Sequence, residues 1–287
     1  MTITGFDRRR VTVADGVRLT AAVGGSGPPV VLLHGFPQTH LMWRHVAADL
    51  AADHTVLCPD LRGYGDSDKP VDGPYDKRTM AADVVALARA FGFDRFALAG
   101  HDRGALVAVR AGLDHPDAIT HLAALDVLPT LPMWEVLKGR SAAVGFHLYL
   151  MAQAPDLPER LIAGAPDAFF GHFLDTWATT PGAIPADVRE AYLAASRAAV
   201  PSIVADYRAS ATVDVEHDEA DRRAGNRLRM PVAVVQQDWG AALGFDAEEL
   251  WRRWADDLVH RTVACGHFMA EESPTDVVKA LRDLLAR

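Results

Sequence analysis

The chain has 287 residues and a formal net charge of −9, and 49% of its residues are hydrophobic. This length lies at the upper end of what one domain usually holds, and the apolar fraction allows a large core. The negative charge and the lack of a basic block argue against nucleic acid or an anionic membrane as the main partner.

The start of the chain and its cysteines indicate where the protein works. MTITGFDRRRVTV contains no apolar run of signal-peptide length, and no stretch approaches the roughly 20 apolar residues of a membrane span. Only two cysteines occur, Cys58 and Cys265. One disulfide would fit, but two cysteines in a chain of this size favour free thiols in a reducing compartment. We predict a cytoplasmic protein without a membrane partner.

Short apolar runs alternate with helical patterns in the first part of the chain. Residues 10–24 alternate in polarity around Asp15-Gly16, which predicts a β-hairpin. Buried strands are predicted at 30–34, 54–60, 95–100 and 121–126. Helices are predicted between them at 43–53, 76–92 and 104–113. This alternation predicts parallel pairing in an open α/β sheet.

The alternation stops after Asp126. Residues 130–225 contain helical segments separated by proline and glycine clusters, without a buried strand pattern. We predict a helical cap at 130–225, inserted after the strand that ends at Asp126, so that 1–129 and 226–287 form one core domain. Further strands are predicted at 231–237 and 260–267, and further helices at 246–257 and from Pro274 onward.

The sharpest local feature is GHDRG at 100–104, between a buried strand and a helix. It has the G-x-nucleophile-x-G form of a nucleophile elbow, a strained turn that presents the central side chain at the carboxyl end of the sheet. The helix N-terminus beside it favours an anion. Asp102 stands where a serine is usual. An aspartate here would also suit a plain helix N-cap, so the prediction of a nucleophile depends on further features.

Two loops supply an oxyanion hole and a base in the order this architecture requires. His34-Gly35-Phe36-Pro37 follows the first buried strand, where the Phe36 N–H would join the Arg103 N–H in stabilising an oxyanion. His267 follows the last strand, where the catalytic histidine belongs. We predict these roles for all three residues.

The acid that orients His267 has two candidate positions. Asp126 ends the strand 121–126 and occupies one of the two places where this architecture keeps that acid. Asp238 and Asp246 lie near the other, after PVAVVQQ. We predict Asp126 and leave the two later aspartates as the alternative.

The motifs quoted above, with several others, resemble one family. HGFPQTHLMW, DLRGYGDSDKP, ALAGHDRGA, LDVLPT, DYRAS and CGHF together resemble the fluoroacetate (haloacetate) dehalogenases and, more broadly, the epoxide hydrolases. The resemblance runs from about residue 10 to the end of the chain. It implies an α/β-hydrolase fold, with a mostly parallel central sheet flanked by helices, and a homodimer.

An aspartate nucleophile suits displacement at a saturated carbon. A serine attacking such a carbon would leave an ether, whereas Asp102 would form an ester that water can cleave. The first step needs no base, and His267, oriented by Asp126, would activate water for the second. The predicted substrates therefore contain a carbon–halogen bond or an epoxide.

The resemblance also assigns substrate contacts, with departures. In the dehalogenases a His-Trp pair and a later tyrosine bind the halide. His147 and Tyr207 match two of these positions, but Leu148 replaces the tryptophan. Two arginines hold the substrate carboxylate there. Arg103 matches the first, and Leu106 replaces the second.

The epoxide hydrolases use two cap tyrosines, and the match to them is also incomplete. Their first tyrosine falls at Phe146 and their second at Tyr207. Tyr149 lies one turn from Phe146 and would substitute for the first only in a rotated helix. Plain packing within the cap is the alternative for Tyr149 and His147.

We therefore predict a hydrolytic dehalogenase of haloacids, with a small-molecule substrate and water as its partners. An epoxide hydrolase is the alternative. A ligand-binding or inactive protein of the same fold is the second alternative, although the retained Asp102, Asp126 and His267 speak against it. The sequence has no metal-ligand spacing, phosphate loop or nicotinamide fingerprint, so we expect no cofactor and no metal.

Overall fold

The computed structural model describes residues 1–239 and 243–287 and has an eight-stranded sheet at its centre. The strands are β1 (Asp7–Thr12), β2 (Arg18–Gly24), β3 (Pro29–Leu33), β4 (Thr55–Pro59), β5 (Phe96–His101), β6 (Ile119–Leu125), β7 (Val232–Gln236) and β8 (Leu258–Thr262). Their order in the sheet is β1-β2-β4-β3-β5-β6-β7-β8. β2 pairs antiparallel with β1 and β4, and the remaining pairs are parallel. The predicted α/β sheet and its hairpin are confirmed.

Helices flank the sheet and fill the segment between β6 and β7. They are α1 (Arg44–Leu50), α2 (Lys77–Ala90), α3 (Arg103–Asp114), α4 (Thr130–Val136), α5 (Phe146–Met151), α6 (Leu157–Gly164), α7 (Pro166–Thr176), α8 (Ala186–Arg197), α9 (Val200–Ser210), α10 (Val213–Ala224), α11 (Ala247–Arg252), α12 (Met269–Glu272) and α13 (Pro274–Leu285). Three short 3₁₀ turns lie at Ala14–Gly16, His40–Trp43 and Gly139–Ala143. None of the helices in the described residues is both long and apolar enough to cross a bilayer.

The parallel strands have the sequences that their surroundings require. β5 is buried along its whole length, as is all of β3 except its first residue, because helices cover both faces of the sheet. Cys58 in β4 and Cys265 after β8 are both free thiols, as predicted. Burial raises the pKa of the Cys265 thiol to about 12, which makes it a poor nucleophile.

The last part of the chain differs from the predicted boundaries. The strand predicted at 260–267 is β8, which begins at Leu258 and ends at Thr262. The residues after it turn away from the sheet, so His267 lies on a loop rather than on a strand. The helix predicted at 246–257 is α11, which ends at Arg252. In both places the apolar pattern continues past the regular element because the loop is packed against the core.

Within Thr130–Ala224, all of which the structure describes, no residue lies in a strand. We propose that α4–α10 act as a cap over the carboxyl ends of the strands, with the core on either side of 130–225 in sequence.

The turn from β5 into α3 depends on a very close approach between chain segments. A Cβ placed on Gly104 would lie 2.4 Å from the carbonyl oxygen of His34 and 2.6 Å from that of Leu33. Both atoms belong to the backbone at the end of β3, so neither can move aside as a flexible side chain would. Only glycine lets α3 begin this close to β3.

We predict that Gly104→Ala lowers the free energy of unfolding by about 3 kcal/mol, the upper end of the usual overpacking cost. Chemical denaturation followed by circular dichroism measures this change. Gly164→Ala is the matched control, because a Cβ on Gly164 meets no atom within 4 Å. Equal stability of the two variants would show that the approach of α3 to β3 is not a constraint.

Candidate active site

Asp102 lies at the tip of the turn between β5 and α3, in a conformation that few residues adopt. Its φ is 48° and its ψ is −116°, which places an L-residue in a strained backbone region. The N–H of Phe36 donates to Asp102 Oδ1 over 2.7 Å. Arg103 is the first residue of α3, so its N–H has no partner within the helix. One carboxylate oxygen of Asp102 is therefore held by an amide.

His267 and Asp126 form a buried pair beside this turn. The Nδ1 of His267 lies 2.6 Å from Asp126 Oδ2, and both side chains are almost fully buried. Burial lowers the pKa of His267, but its hydrogen bond to Asp126 and the Asp126 charge outweigh burial and raise the pKa. The Nε2 of His267 is buried and has no hydrogen-bond partner among the described residues. The ring can therefore accept a proton at Nε2 while Nδ1 is held.

The loop that carries His267 is anchored on both sides. The backbone N–H of His267 donates to the carbonyl of Trp177 over 3.0 Å. Glu272 accepts from the backbone N–H of Gly266 and, over 2.7 Å, from that of Thr179. The His101 ring packs against the His267 ring with their centroids 4.5 Å apart. These contacts fix the imidazole between the core and the segment after α7.

Of the three candidate acids, the structure pairs Asp126 with His267. Asp246 caps α11, where its Oδ1 accepts from the N–H of Glu249 over 3.0 Å. Asp238 is exposed and lies on the wall of the cavity described below. Asp126 itself has a φ of 49°, so its side chain leaves the end of β6 in a direction that an ordinary strand residue would not take.

A cavity of about 300 Å³ opens above Asp102 and is mostly apolar. Core and cap residues contribute to its wall, which includes Asp102, Arg103, Leu106, Val127, Met133, Trp134, His147, Leu148, Trp177, Tyr207, Gln237, Trp239 and His267. The side chains of Asp102, His267 and the helices between β6 and β7 therefore meet around one cavity. Leu106 and Leu148 both face that space and supply no hydrogen-bond donor to it.

Two cap side chains carry donors that have no partner. Tyr207 Oη and His147 Nδ1 are buried and make no hydrogen bond among the described residues. Their ring centroids lie 5.5 Å apart. Burial and the Asp102 charge raise the pKa of Tyr207 well above its usual range, and burial lowers the pKa of His147 to about 3. Both groups are therefore neutral near pH 7. Tyr207 can donate its hydroxyl proton to a developing anion, and His147 can donate from Nδ1 in the tautomer that carries its proton there.

Arg103 borders the cavity, but its guanidinium is committed elsewhere. Its Nε and Nη2 bind the Asp206 carboxylate over 2.9 and 2.8 Å, and Nη2 also binds Ser210. The guanidinium lies 4.0 Å from the centroid of the Tyr207 ring. The resemblance places Arg103 at the position of the first carboxylate-binding arginine, and in the structure the charge of Arg103 is balanced by Asp206. Within the described parts of the chain, only its Nη1 lacks a hydrogen-bond partner.

Tyr149 does not belong to the site, contrary to the prediction. Its hydroxyl donates to the carbonyl of Leu137, and its ring packs edge-on against Trp134. Tyr149 is 37% exposed and is not part of the cavity wall. The helix α5 turns His147 and Leu148 toward Asp102 instead, so a tyrosine one turn from Phe146 points away.

Three residues of the site were missed by sequence reasoning. Trp177 packs against the rings of both His147 and His267, with centroids 5.2 and 4.8 Å away. Trp239 lines the cavity, and the side chain of Gln237 contacts Asp126. No motif marks Trp177, while Gln237 ends the predicted strand 231–237 and Trp239 lies two residues after it, which was a usable signal.

Comparison with known proteins agrees with this arrangement. The alpha/beta hydrolase fold family model matches residues 28–274. A fluoroacetate dehalogenase from a Burkholderia species is 40% identical over 98% of this chain and 94% of its own length. The soluble epoxide hydrolase of Corynebacterium sp. (strain C12) is 34% identical over 92% of each chain.

The chain belongs to the α/β-hydrolase fold family, in the group that contains fluoroacetate dehalogenase and related epoxide hydrolases. A solved structure from Pseudomonas aeruginosa, a variant of a protein provisionally assigned as an epoxide hydrolase, superposes with a TM-score of 0.95. It is 40% identical and covers 100% of this chain and 98% of that chain. The family resemblance predicted from the motifs is confirmed, and the chain is a hydrolase.

We predict that Asp126→Asn reduces turnover by about 10⁴-fold, because the amide can neither fix the His267 tautomer nor stabilise the imidazolium. Asp238→Asn and Asp246→Asn should each reduce it far less. Steady-state kinetics on any substrate that the protein turns over measures the three variants side by side. The opposite ranking would move the acid to the segment after β7.

Proposed function

We propose that the protein is a hydrolytic dehalogenase of haloacids, which works through an ester on Asp102. The observation that carries the proposal is one cavity lined by Asp102, by His267 with Asp126 bonded to its Nδ1, and by Tyr207 and His147. Tyr207 Oη and His147 Nδ1 have no hydrogen-bond partner among the described residues. This set of groups can attack a carbon, assist a leaving anion and activate water.

The first half-reaction uses Asp102 as the nucleophile. Because the Phe36 amide holds Oδ1, Oδ2 is the oxygen left to attack the carbon that bears the halogen. The new carbon–oxygen bond forms as the carbon–halogen bond breaks, and the halide leaves with the bonding electrons. Tyr207 Oη and His147 Nδ1 are the donors available to it. No proton is transferred, so this step needs no base.

The second half-reaction hydrolyses the ester. Nε2 of His267 takes a proton from water, whose oxygen attacks the carbonyl carbon of Asp102. The resulting oxyanion on Oδ1 faces the Phe36 amide, with the Arg103 amide as the second donor. Collapse breaks the bond between the carbonyl carbon and the original Oδ2, which leaves with the product and takes a proton from His267. The water oxygen stays on Asp102.

A haloacid also brings a carboxylate that must be bound. The group suited to it is Nη1 of Arg103, at the edge of the cavity. This is a single contact with a cation that Asp206 already neutralises, and Leu106 offers nothing in addition. Recognition of the acid group is therefore weaker than a bidentate clamp would give.

Epoxide hydrolysis is the second candidate function, and the unpartnered hydroxyl of Tyr207 favours it. That hydroxyl is buried and protonated, and Tyr207 lines the cavity, as suits an acid that assists ring opening. The Asp102 ester and its hydrolysis by His267 would be the same for both substrates. We further propose a cytoplasmic location and, from the family resemblance, a homodimer.

We predict that His267→Gln traps the alkyl-enzyme, because attack by Asp102 needs no base and hydrolysis does. Mass spectrometry after incubation with haloacetates and small epoxides should find added mass on the peptide that contains Asp102. For a haloacid the addition is the acid minus hydrogen halide, and for an epoxide it is the whole epoxide.

The Asp102→Asn variant is the control for this trap, since it should remain folded and carry no adduct with either substrate. A substrate that the unmodified protein turns over but that leaves no adduct on His267→Gln would contradict the covalent mechanism.

We predict that Leu106→Arg combined with Leu148→Trp raises kcat/KM on haloacetates by about tenfold or more. The arginine would add a second contact to the carboxylate and the indole a third halide donor, each typically worth about 1.5–3 kcal/mol as a hydrogen bond to a charged group. Halide release measures the change. An unchanged rate in a folded double variant would mean that the shape of the cap, rather than these two side chains, limits the reaction.

A further inference from the structure

Asp126 makes hydrogen bonds to the end of β7 as well as to His267. The parallel strands β6 and β7 pair with Leu125 opposite Val235, and the N–H of Asp126 continues the ladder to the carbonyl of Val235 over 2.8 Å. Two residues after Val235, the N–H of Gln237 donates to Asp126 Oδ1 over 3.0 Å. The side-chain amide of Gln237 then donates to Asp126 Oδ2 over 2.8 Å.

Oδ2 is the same oxygen that lies 2.6 Å from His267 Nδ1. The amide of Gln237 and the imidazole of His267 therefore share one acceptor atom, in a place where Asp126 is fully buried. Of the three donors that the described part of the chain offers to this carboxylate, two come from Gln237. A donor on Oδ2 withdraws electron density from the bond to the imidazole, and it also stops the carboxylate from turning.

We propose that Gln237 is a positioning residue of the catalytic site, which orients the Asp126 carboxylate and moderates its pull on the His267 proton. The proposal rests on the proposed function, in which His267 is the base for water. Gln237 lies just after β7, the region where the alternative candidate acids are found. Its side-chain amide donates to Asp126 Oδ2, the oxygen that also bonds His267.

The neighbouring Gln236 offers a matched comparison. Its side chain is buried, whereas that of Gln237 is half-buried, and it too is hydrogen-bonded, with Nε2 donating to the carbonyl of Val127 over 2.9 Å and Oε1 near the ring of His260. The hydrogen bonds of the Gln236 side chain go to neither Asp126 nor His267. Loss of its amide should affect stability without changing the protonation of His267.

His267 faces several charged or titratable groups that set its protonation together. These are Asp126 at the end of β6, Asp102 and His101 at the end of β5, Glu272 on α12, and His147 on α5; Asp238 lines the same cavity. Replacement of Gln237 by leucine leaves all of these groups in place. It removes only the amide donor that competes for Asp126 Oδ2.

The test is an NMR titration of the His267 imidazole, assigned by its loss in His267→Gln, in the full-length protein. In Gln237→Leu we expect the His267 pKa to rise by about one unit, a tenfold gain in proton affinity. Because only neutral His267 can act as the base, the acidic limb of the rate profile should move to higher pH by the same amount. Gln236→Leu should move neither.

An unchanged or lowered His267 pKa in Gln237→Leu would overturn the proposal. A second variant keeps the test decisive if Gln237→Leu does not fold. Asp126→Asn combined with Gln237→Glu places a carboxylate where the amide was, so we expect at least tenfold more turnover than in Asp126→Asn alone. A double variant no better than the single one would also overturn it.

A failure of the proposed function can be distinguished from a failure of the Gln237 proposal, because different experiments test them. The titration needs no substrate, and retention of turnover by Asp102→Asn would refute the ester mechanism whatever the Gln237 variants do.

Discussion

The close approach of the β5–α3 turn to the end of β3 is the constraint on which the site depends. Gly104 lets α3 begin against the backbone of β3, and a Cβ on Gly35 would lie 2.6 Å from the Cβ of Asp102. This contact brings the Phe36 amide to the Asp102 carboxylate. It also keeps the backbone of Asp102 in a strained conformation. The amide holds one oxygen, so the same contact that packs the fold also positions the carboxylate that we propose as the nucleophile.

A buried group of charges connects this turn to the cap. Asp206 on α9 accepts hydrogen bonds from Arg103, from Lys77 and, over 2.6 Å, from the hydroxyl of Tyr64. With Asp214 beside Lys77, the group contains two carboxylates and two cations and is electrically balanced. Removing one member of such a group leaves an unpaired buried charge. The arginine that follows Asp102 therefore joins α9 to α3, and in the proposed function its Nη1 is the atom that contacts the substrate. This explains why the cavity is mostly apolar although Arg103 borders it.

Most of the core fold and part of the candidate site could be predicted from the sequence. The strands, the turn at Asp102 and the loops at Phe36 and His267 are local patterns, and each could be placed from a short stretch of residues. Other features depend on distant contacts. Asp206 is 103 residues from Arg103, and no residue near Arg103 in the sequence predicts that ion pair. The direction of Tyr149 depends on how α5 is rotated against its neighbours, which periodicity in a helix of six residues cannot fix. Gln237 acts through the register of β6 and β7, which the sequence of neither strand specifies alone.

The most direct test of the ester on Asp102 is a reaction in oxygen-18 water with a substrate that the protein turns over. Under single-turnover conditions, with the protein in excess, we predict that the new hydroxyl of the product contains ordinary oxygen, because it comes from Asp102. The peptide that contains Asp102 should gain the label instead, since the water oxygen remains on the carboxylate. Label in the product of the first turnover, with none in the Asp102 peptide, would mean that water attacks the substrate directly and would contradict the mechanism.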